Sequence, residues 1–304
     1  LCVLITSPSV LLDHIDLAVY AFHLFDQLCT ASATNGNQFI QSLVESHVIQ
    51  SVISLIPSFV ELLDTHAIAE EESMMQIMHS IICITTTCIF SLHSSQQLPP
   101  LKQILTSLLT PDLSTSTSLP RESSNFEAPL VLLLSSLRRF ALLDTDKISP
   151  NSGIPEIKTI HESVKSLLCL VQVTLIDAGD AWRDIPDVSS AVREVVLSLF
   201  QLAGQLLPPS LLRPAVSDTC TSLMKLLPTF VGLESGTIHN MLSCVLTCIL
   251  NDPARQSSEA RSHQYLMLLC LLLELKKVGS LISILTPVQS AVPALLEGLT
   301  CDLV

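Results

Sequence analysis

His161-Glu162-Ser163-Val164-Lys165 opens like the helix of a zinc protease, in which two histidines four residues apart share one metal ion. Lys165 stands where the second histidine must be, so the ligand pair is broken. Cys244 and Cys248 are also four apart, with His239 five residues before the first. That spacing puts both thiols on one helix face. Zinc knuckles use a two-residue separation, however. The flanking Leu242, Val245, Leu246, Ile249 and Leu250 read as a packed helix in which cysteine is a small hydrophobe. Cys83 and Cys88 read the same way. The eight glycines form neither a dinucleotide-binding nor a P-loop pattern. Gly232-Leu233-Glu234-Ser235-Gly236 has Glu at the centre, where a nucleophile elbow needs Ser. The sequence therefore offers no catalytic, cofactor-binding or metal-binding set, and a non-enzymatic chain is expected.

Two acidic groups remain. Glu70-Glu71-Glu72 starts a helical stretch. Carboxylates there complement the helix dipole, or else form a docking patch for Lys/Arg partners. Asp177, Asp180, Arg183, Asp184 and Asp187 surround the single tryptophan, Trp182, between two helical stretches. Such a Trp either plugs the corner between helices or anchors a partner. Trp182, Asp180, Asp184, Asp187, Glu70, Glu71 and Glu72 are the candidate partner-binding residues.

The chain that must position them has 304 residues, of which 48% are hydrophobic, 14% charged and 4% aromatic. Disordered chains are the reverse, poor in large apolar residues and rich in charge. Eight glycines are too few for the positive-φ turns of a sandwich or barrel. The net charge of −13 argues against a nucleic-acid binder and favours protein partners with basic segments. Ten cysteines, mostly inside apolar helical patterns, and no Asn-x-Ser/Thr acceptor point to a reducing, cytoplasmic setting.

Mean hydropathy is +0.54, high enough for membrane spans to be a candidate reading. A span needs ~20 mainly apolar residues. The run 265–273 meets Glu274, Lys276 and Lys277 at once, and 76–92 contains His79 and three threonines. Neither reads as a clean span. No basic region precedes the first apolar run, and the sequence begins at Leu1 rather than Met, which suggests a segment of a longer chain.

Apolar periodicity predicts helices over 10–33, 38–45, 47–63, 70–92, 99–109, 127–143, 156–178, 188–207, 210–227, 237–250, 258–277 and 288–299. Asn35-Gly36-Asn37 breaks the first from the second. Residues 111–125 form a Ser/Thr-rich loop, and a second loop covers 144–155. Ile56-Pro57-Ser58-Phe59-Val60 matches Leu227-Pro228-Thr229-Phe230-Val231 class for class.

Residues 13–58 resemble one armadillo repeat. Leu17-Ala18-Val19-Tyr20-Ala21-Phe22-His23-Leu24 matches the first helix, Phe39-Ile40 with Leu43-Val44 the short second, and Val48-Ile49, Val52 and Leu55-Ile56 the third. Ser46-His47 stands where the family has its turn glycine. The remainder resembles armadillo or HEAT-like helix pairs by pattern. The resemblance implies an all-α, right-handed α-solenoid of antiparallel helix pairs. Repeats would cover 1–110 and 126–304 around the 111–125 loop, as one continuous solenoid. It also implies a non-catalytic protein-interaction scaffold or adaptor, without cofactor. The alternatives are a regulatory segment of a larger enzyme and a membrane-associated helical protein. The family's peptide-binding Trp-x-x-x-Asn pattern is absent, so a nuclear-import-adaptor mode is not implied.

Overall fold

The computed structural model describes residues 14–34, 38–65, 68–111, 127–147, 155–186, 188–206 and 212–223. Among them every regular element is helical and there is no strand. The helices expected over 237–250, 258–277 and 288–299, the Ser/Thr-rich segment up to residue 126, and Asp187 lie outside the described residues. By its contacts the chain divides into two compact units, Leu1–Val195 and Val196–Val304.

The first unit contains α1 (Ile15–Thr34), α2 (Gln38–Glu45), α3 (Val48–Ile53), α4 (Ile56–Thr65), α5 (Ile68–Ser94), α6 (Leu98–Leu109), α7 (Pro129–Lys147), α8 (Pro155–Gln172) and α9 (Gly179–Trp182). The 27-residue α5 is its centre. Helices α1 and α8 both pack along it, and α2, α3, α4 and α6 also touch it. Helix α7 packs on α8, α4 and α6. This wrapping explains why α5 is apolar nearly all round: a helix covered on several sides has no polar face to show. Met74, Ile77, Met78, Ile81, Ile82, Ile84, Cys88, Ile89 and Leu92 are all buried. Thr85 and Thr86 tolerate the interior by donating to Ile81 O and Ile82 O, at 2.8 and 2.7 Å.

Apolar residues of α1 point at α5: Ala18, Phe22, Phe25 and Cys29 recur at three or four residues and are buried. Phe22 meets Phe59 of α4 edge to face, with centroids 6.5 Å apart. The other face of α1 exposes Leu17, Tyr20, Leu24 and Leu28 at the same helical spacing. Tyr20 is 74% exposed.

The long helix expected over 47–63 is two helices. Residues 54–55 form a turn between α3 and α4, one turn ahead of Pro57, which lacks the N–H a continuous helix requires. Helix α2 and the following 48–61 stretch meet at 69°. That bend is made at His47, whose φ of 59° and ψ of 17° are left-handed. His47 thus takes the conformation that glycine adopts most cheaply. Gln96 does the same between α5 and α6, with φ of 57°. There the N–H of Gln97 reaches Leu92 O and that of Gln96 reaches His93 O, the Schellman pattern of a helix C-terminus.

Among the described residues two helices are long and apolar enough to cross a membrane: Ser73–Ser94 and Thr159–Asp177. The first overlaps the 76–92 run, which reads from sequence as too polar for a clean span; the second does not stand out in the sequence pattern. His79 and the threonines cost the first little by this measure, because none carries a formal charge. Two thirds of its window, 67%, is nevertheless buried within the protein, against 50% for the second.

The boundary between the units falls within α10 (Val188–Gln205). In the second unit, Val196, Leu199, Leu202 and Leu206 are buried along one strip. Val216, Cys220 and Leu223 do the same along α11 (Arg213–Leu223).

Candidate functional site

Helix α8 does not end in a simple stop. Its last residues widen into a π turn, Val173–Asp177, closed by Ala178 N donating to Val173 O at 2.9 Å. The chain then turns through α9, which brings Trp182 back onto the π turn. Trp182 is only 4% exposed, and its indole N–H donates to Leu175 O at 3.1 Å. The ring fills the corner instead of standing out from it. What the corner presents to solvent is carboxylate: Asp180 is 100% and Asp184 70% exposed.

Each has a basic neighbour. Arg183 pairs with Asp180 at 3.0 Å, and its guanidinium lies 6.0 Å from the Trp182 ring centroid. Lys102 of α6 pairs with Asp184 at 2.9 Å, which ties α6 to the corner. The candidate residues therefore separate by role. Trp182 positions, while Asp180 and Asp184 face outward. Glu70, Glu71 and Glu72 lie near the start of α5, remote in sequence from this corner.

The far end of α6 carries features that the sequence reading missed. A cleft of about 390 Å³ opens between the α3–α4 turn, the end of α6 and the start of α7. Its walls hold Gln50, Ser51, Ser54, Thr106, Ser107 and Thr110, with Pro57, Pro111 and Pro129 between them. A second cavity of about 350 Å³ shares Pro111 and is lined by Glu127, Ser190 and Glu194 among others. Glu127 is held above the ordinary carboxylate range, first by burial and then by repulsion from Glu194. The available signal was Ser and Thr recurring at three- and four-residue spacing on otherwise apolar helices, which sequence alone cannot separate from ordinary helix surface.

A polar cluster also lies where α1, α5 and α8 meet. Cys83 Sγ is 3.6 Å from His79 Nε2 and 3.8 Å from Ser166 Oγ. Asp26 Oδ1 and His79 Nδ1 are buried without a hydrogen-bond partner. Burial raises Asp26, with His79 and His23 pulling it down. Burial lowers His79, with Glu162 and Asp26 opposing. The Cys83 thiol is raised by burial, against its contact with Ser166. A cysteine nucleophile works as the thiolate, and this environment favours the thiol. Among the described residues no three His, Cys, Asp or Glu side chains are placed to hold a metal ion.

Cys29 and Cys88 meet between α1 and α5. Both are free and fully buried, and their contact, ahead of burial, raises the Cys88 thiol well above its usual range. No family model, no curated protein and no solved structure matches this chain.

Proposed function

We propose that the chain is a non-catalytic protein-interaction scaffold or adaptor, built as a right-handed armadillo/HEAT-like solenoid and working in a reducing, cytoplasmic setting. The observation that carries the reading is the Trp182 corner. A buried ring, fixed by its bond to Leu175, holds two exposed carboxylates in place beside α6. A preorganised acidic surface suits a basic protein partner, because the geometry is already set before binding. The exposed Leu17–Tyr20–Leu24–Leu28 strip of α1 adds an apolar face of the kind interfaces use. Side-by-side packing of α1, α5 and α8 fits a repeat architecture, in which each helix finds its core in its neighbours.

Two measurements test this. Small-angle scattering of the purified chain is expected to report an elongated particle; a compact one sinks the solenoid. Cross-linking with mass spectrometry, comparing the wild type with Asp180→Lys/Asp184→Lys, is expected to lose a salt-sensitive partner in the variant. A partner set unchanged by charge reversal removes the acidic corner from the reading.

Membrane association is the second reading, favoured by the two helices of span-like length and apolarity. Purification without detergent separates the two: a monodisperse soluble chain argues against it, and recovery only in detergent supports it.

A further inference from the structure

The walls of the α3–α6–α7 cleft have an unusual hydrogen-bonding balance. Every hydroxyl proton in them is already committed to a helix carbonyl. Ser51 donates to His47 O at 2.9 Å, Ser54 to Ser51 O at 2.8 Å and Thr106 to Lys102 O at 2.8 Å. Ser107 and Thr110 donate to Gln103 O and Thr106 O, at 3.2 and 2.6 Å. A hydroxyl that has donated still has acceptor lone pairs. The amide of Gln50 is spent likewise, on Val44 O and Gln103 Oε1, both at 3.3 Å. Its Oε1 is buried with no partner. An unmatched buried acceptor costs free energy until a donor reaches it. Among the described residues no Lys, Arg or His lines the cleft. It is thus a neutral cavity of acceptors between rigid proline rings, and it shares Pro111 as a wall with a cavity lined by the carboxylates Glu127 and Glu194.

The ligand that complements both cavities is rich in N–H donors, carries positive charge and has an extended body. We infer that the two cavities form one docking groove for an extended protein segment bearing arginine. The guanidinium sits with Glu127 and Glu194, and the adjoining backbone N–H groups meet the acceptors of the Ser54–Thr110 cleft. Arginine fits better than lysine because its planar group offers five fixed donors. The inference rests on the protein-interaction reading above and gives it a second, separate location on the surface.

The test uses the full 304-residue chain immobilised on a surface. Two blocked heptapeptide pools are passed over it, degenerate except for a central arginine in one and citrulline in the other. Citrulline keeps the shape and loses the charge. The arginine pool is expected to be retained about fivefold more, the scale of one charge pair at a partly exposed site. That preference is expected to weaken in high salt. Glu127→Gln/Glu194→Gln should erase it while leaving the uncharged component of binding. Ser54→Trp, placed on an exposed turn so that folding is kept, should block the cleft and abolish retention of both pools. Circular dichroism confirms that each variant is folded. Equal retention of the pools, or retention indifferent to Ser54→Trp, overturns the groove. Retention of neither pool by folded wild type overturns it too. In each case the cross-linking comparison at Asp180 and Asp184 decides the wider reading independently.

Discussion

The indole N–H of Trp182 donates to the carbonyl of Leu175 across the π turn that ends α8. Seven residues separate them, so this bond closes a corner that the α-helical ladder cannot close for itself. Helix, π turn and α9 are thereby fixed as one piece, and Asp180 and Asp184 inherit a set direction. Trp182→Phe removes the donor and leaves the Leu175 carbonyl unmatched in a buried place, which is expected to cost about 1–3 kcal/mol. Trp182→Ala also empties the corner and should cost about 3–5 kcal/mol. Urea unfolding followed by circular dichroism checks both. Equal stability of Trp182→Phe and wild type would show that the bond contributes nothing.

The corner shows how far sequence carries here. Helix positions were legible because apolar residues recur at helical spacing. The 38–45 stretch was predicted as it stands, and α5, α6 and α7 within a few residues. The split of 47–63 was not, although Pro57 inside it is a helix breaker, because the apolar spacing runs on unbroken through the turn at 54–55. The π turn was hidden as well: Val173-Thr174-Leu175-Ile176-Asp177 has the same apolar pattern as a continuing helix. For Trp182, composition left two readings open. Only the bond to Leu175 and the burial show that it packs inward, and those depend on a fold-back no local pattern encodes. The Glu127–Glu194 pair and the Asp26–His79 cluster join residues more than fifty positions apart, which periodicity cannot bring together.

His47 and Gln96 each bear a left-handed strain that glycine would not. The conformation costs an ordinary residue roughly 1–2 kcal/mol, and glycine returns about 0.4–1 kcal/mol of that through a freer unfolded chain. His47→Gly and Gln96→Gly should therefore each change stability by about 0 to 1.6 kcal/mol, in the stabilising direction. His47→Val should destabilise, since branching at Cβ is worst at positive φ. Thermal unfolding ranks the three. A valine variant as stable as the glycine variant would contradict the backbone geometry at α2–α3.

The Asp26–His79 cluster predicts two opposed pH effects. His79 is lowered from histidine's ordinary 6.5, so the folded state favours its neutral form. The stability this contributes is present above 6.5 and is lost as pH falls through 6.5 towards the lowered folded value. Asp26 is raised from 3.8, so its ionised form is penalised in the fold at neutral pH. That penalty disappears as pH falls through the raised value towards 3.8. Asp26→Asn should thus raise the melting temperature near neutrality, with the gain shrinking on acidification. His79→Gln should flatten the loss of stability between neutral pH and about pH 5. His23, Glu162, Cys83 and Cys169 border the cluster and stay unchanged in both variants. Melting curves of Asp26→Asn that run parallel to wild type at every pH would rule out a penalised carboxylate.

The cysteines should differ in reactivity in an order set by exposure and thiolate fraction. Cys169 is exposed, and its thiol is raised by burial of part of the group and by Asp177. Cys83 is half-buried and likewise raised. Cys29 and Cys88 are fully enclosed between α1 and α5, and the contact favours the protonated thiol of Cys88. An alkylating reagent needs both access and the thiolate. In the folded chain Cys169 should be modified first and Cys83 more slowly. Cys29 and Cys88 should react only when α1 separates from α5, at a rate set by that opening. Timed iodoacetamide labelling read by peptide mass spectrometry gives the order directly. Denaturant should then bring all of them to similar rates, which shows that the fold supplied the protection. Early labelling of Cys88 in the native chain would mean that α1 does not stay packed on α5 in solution, and that the core of the first unit is open along that seam.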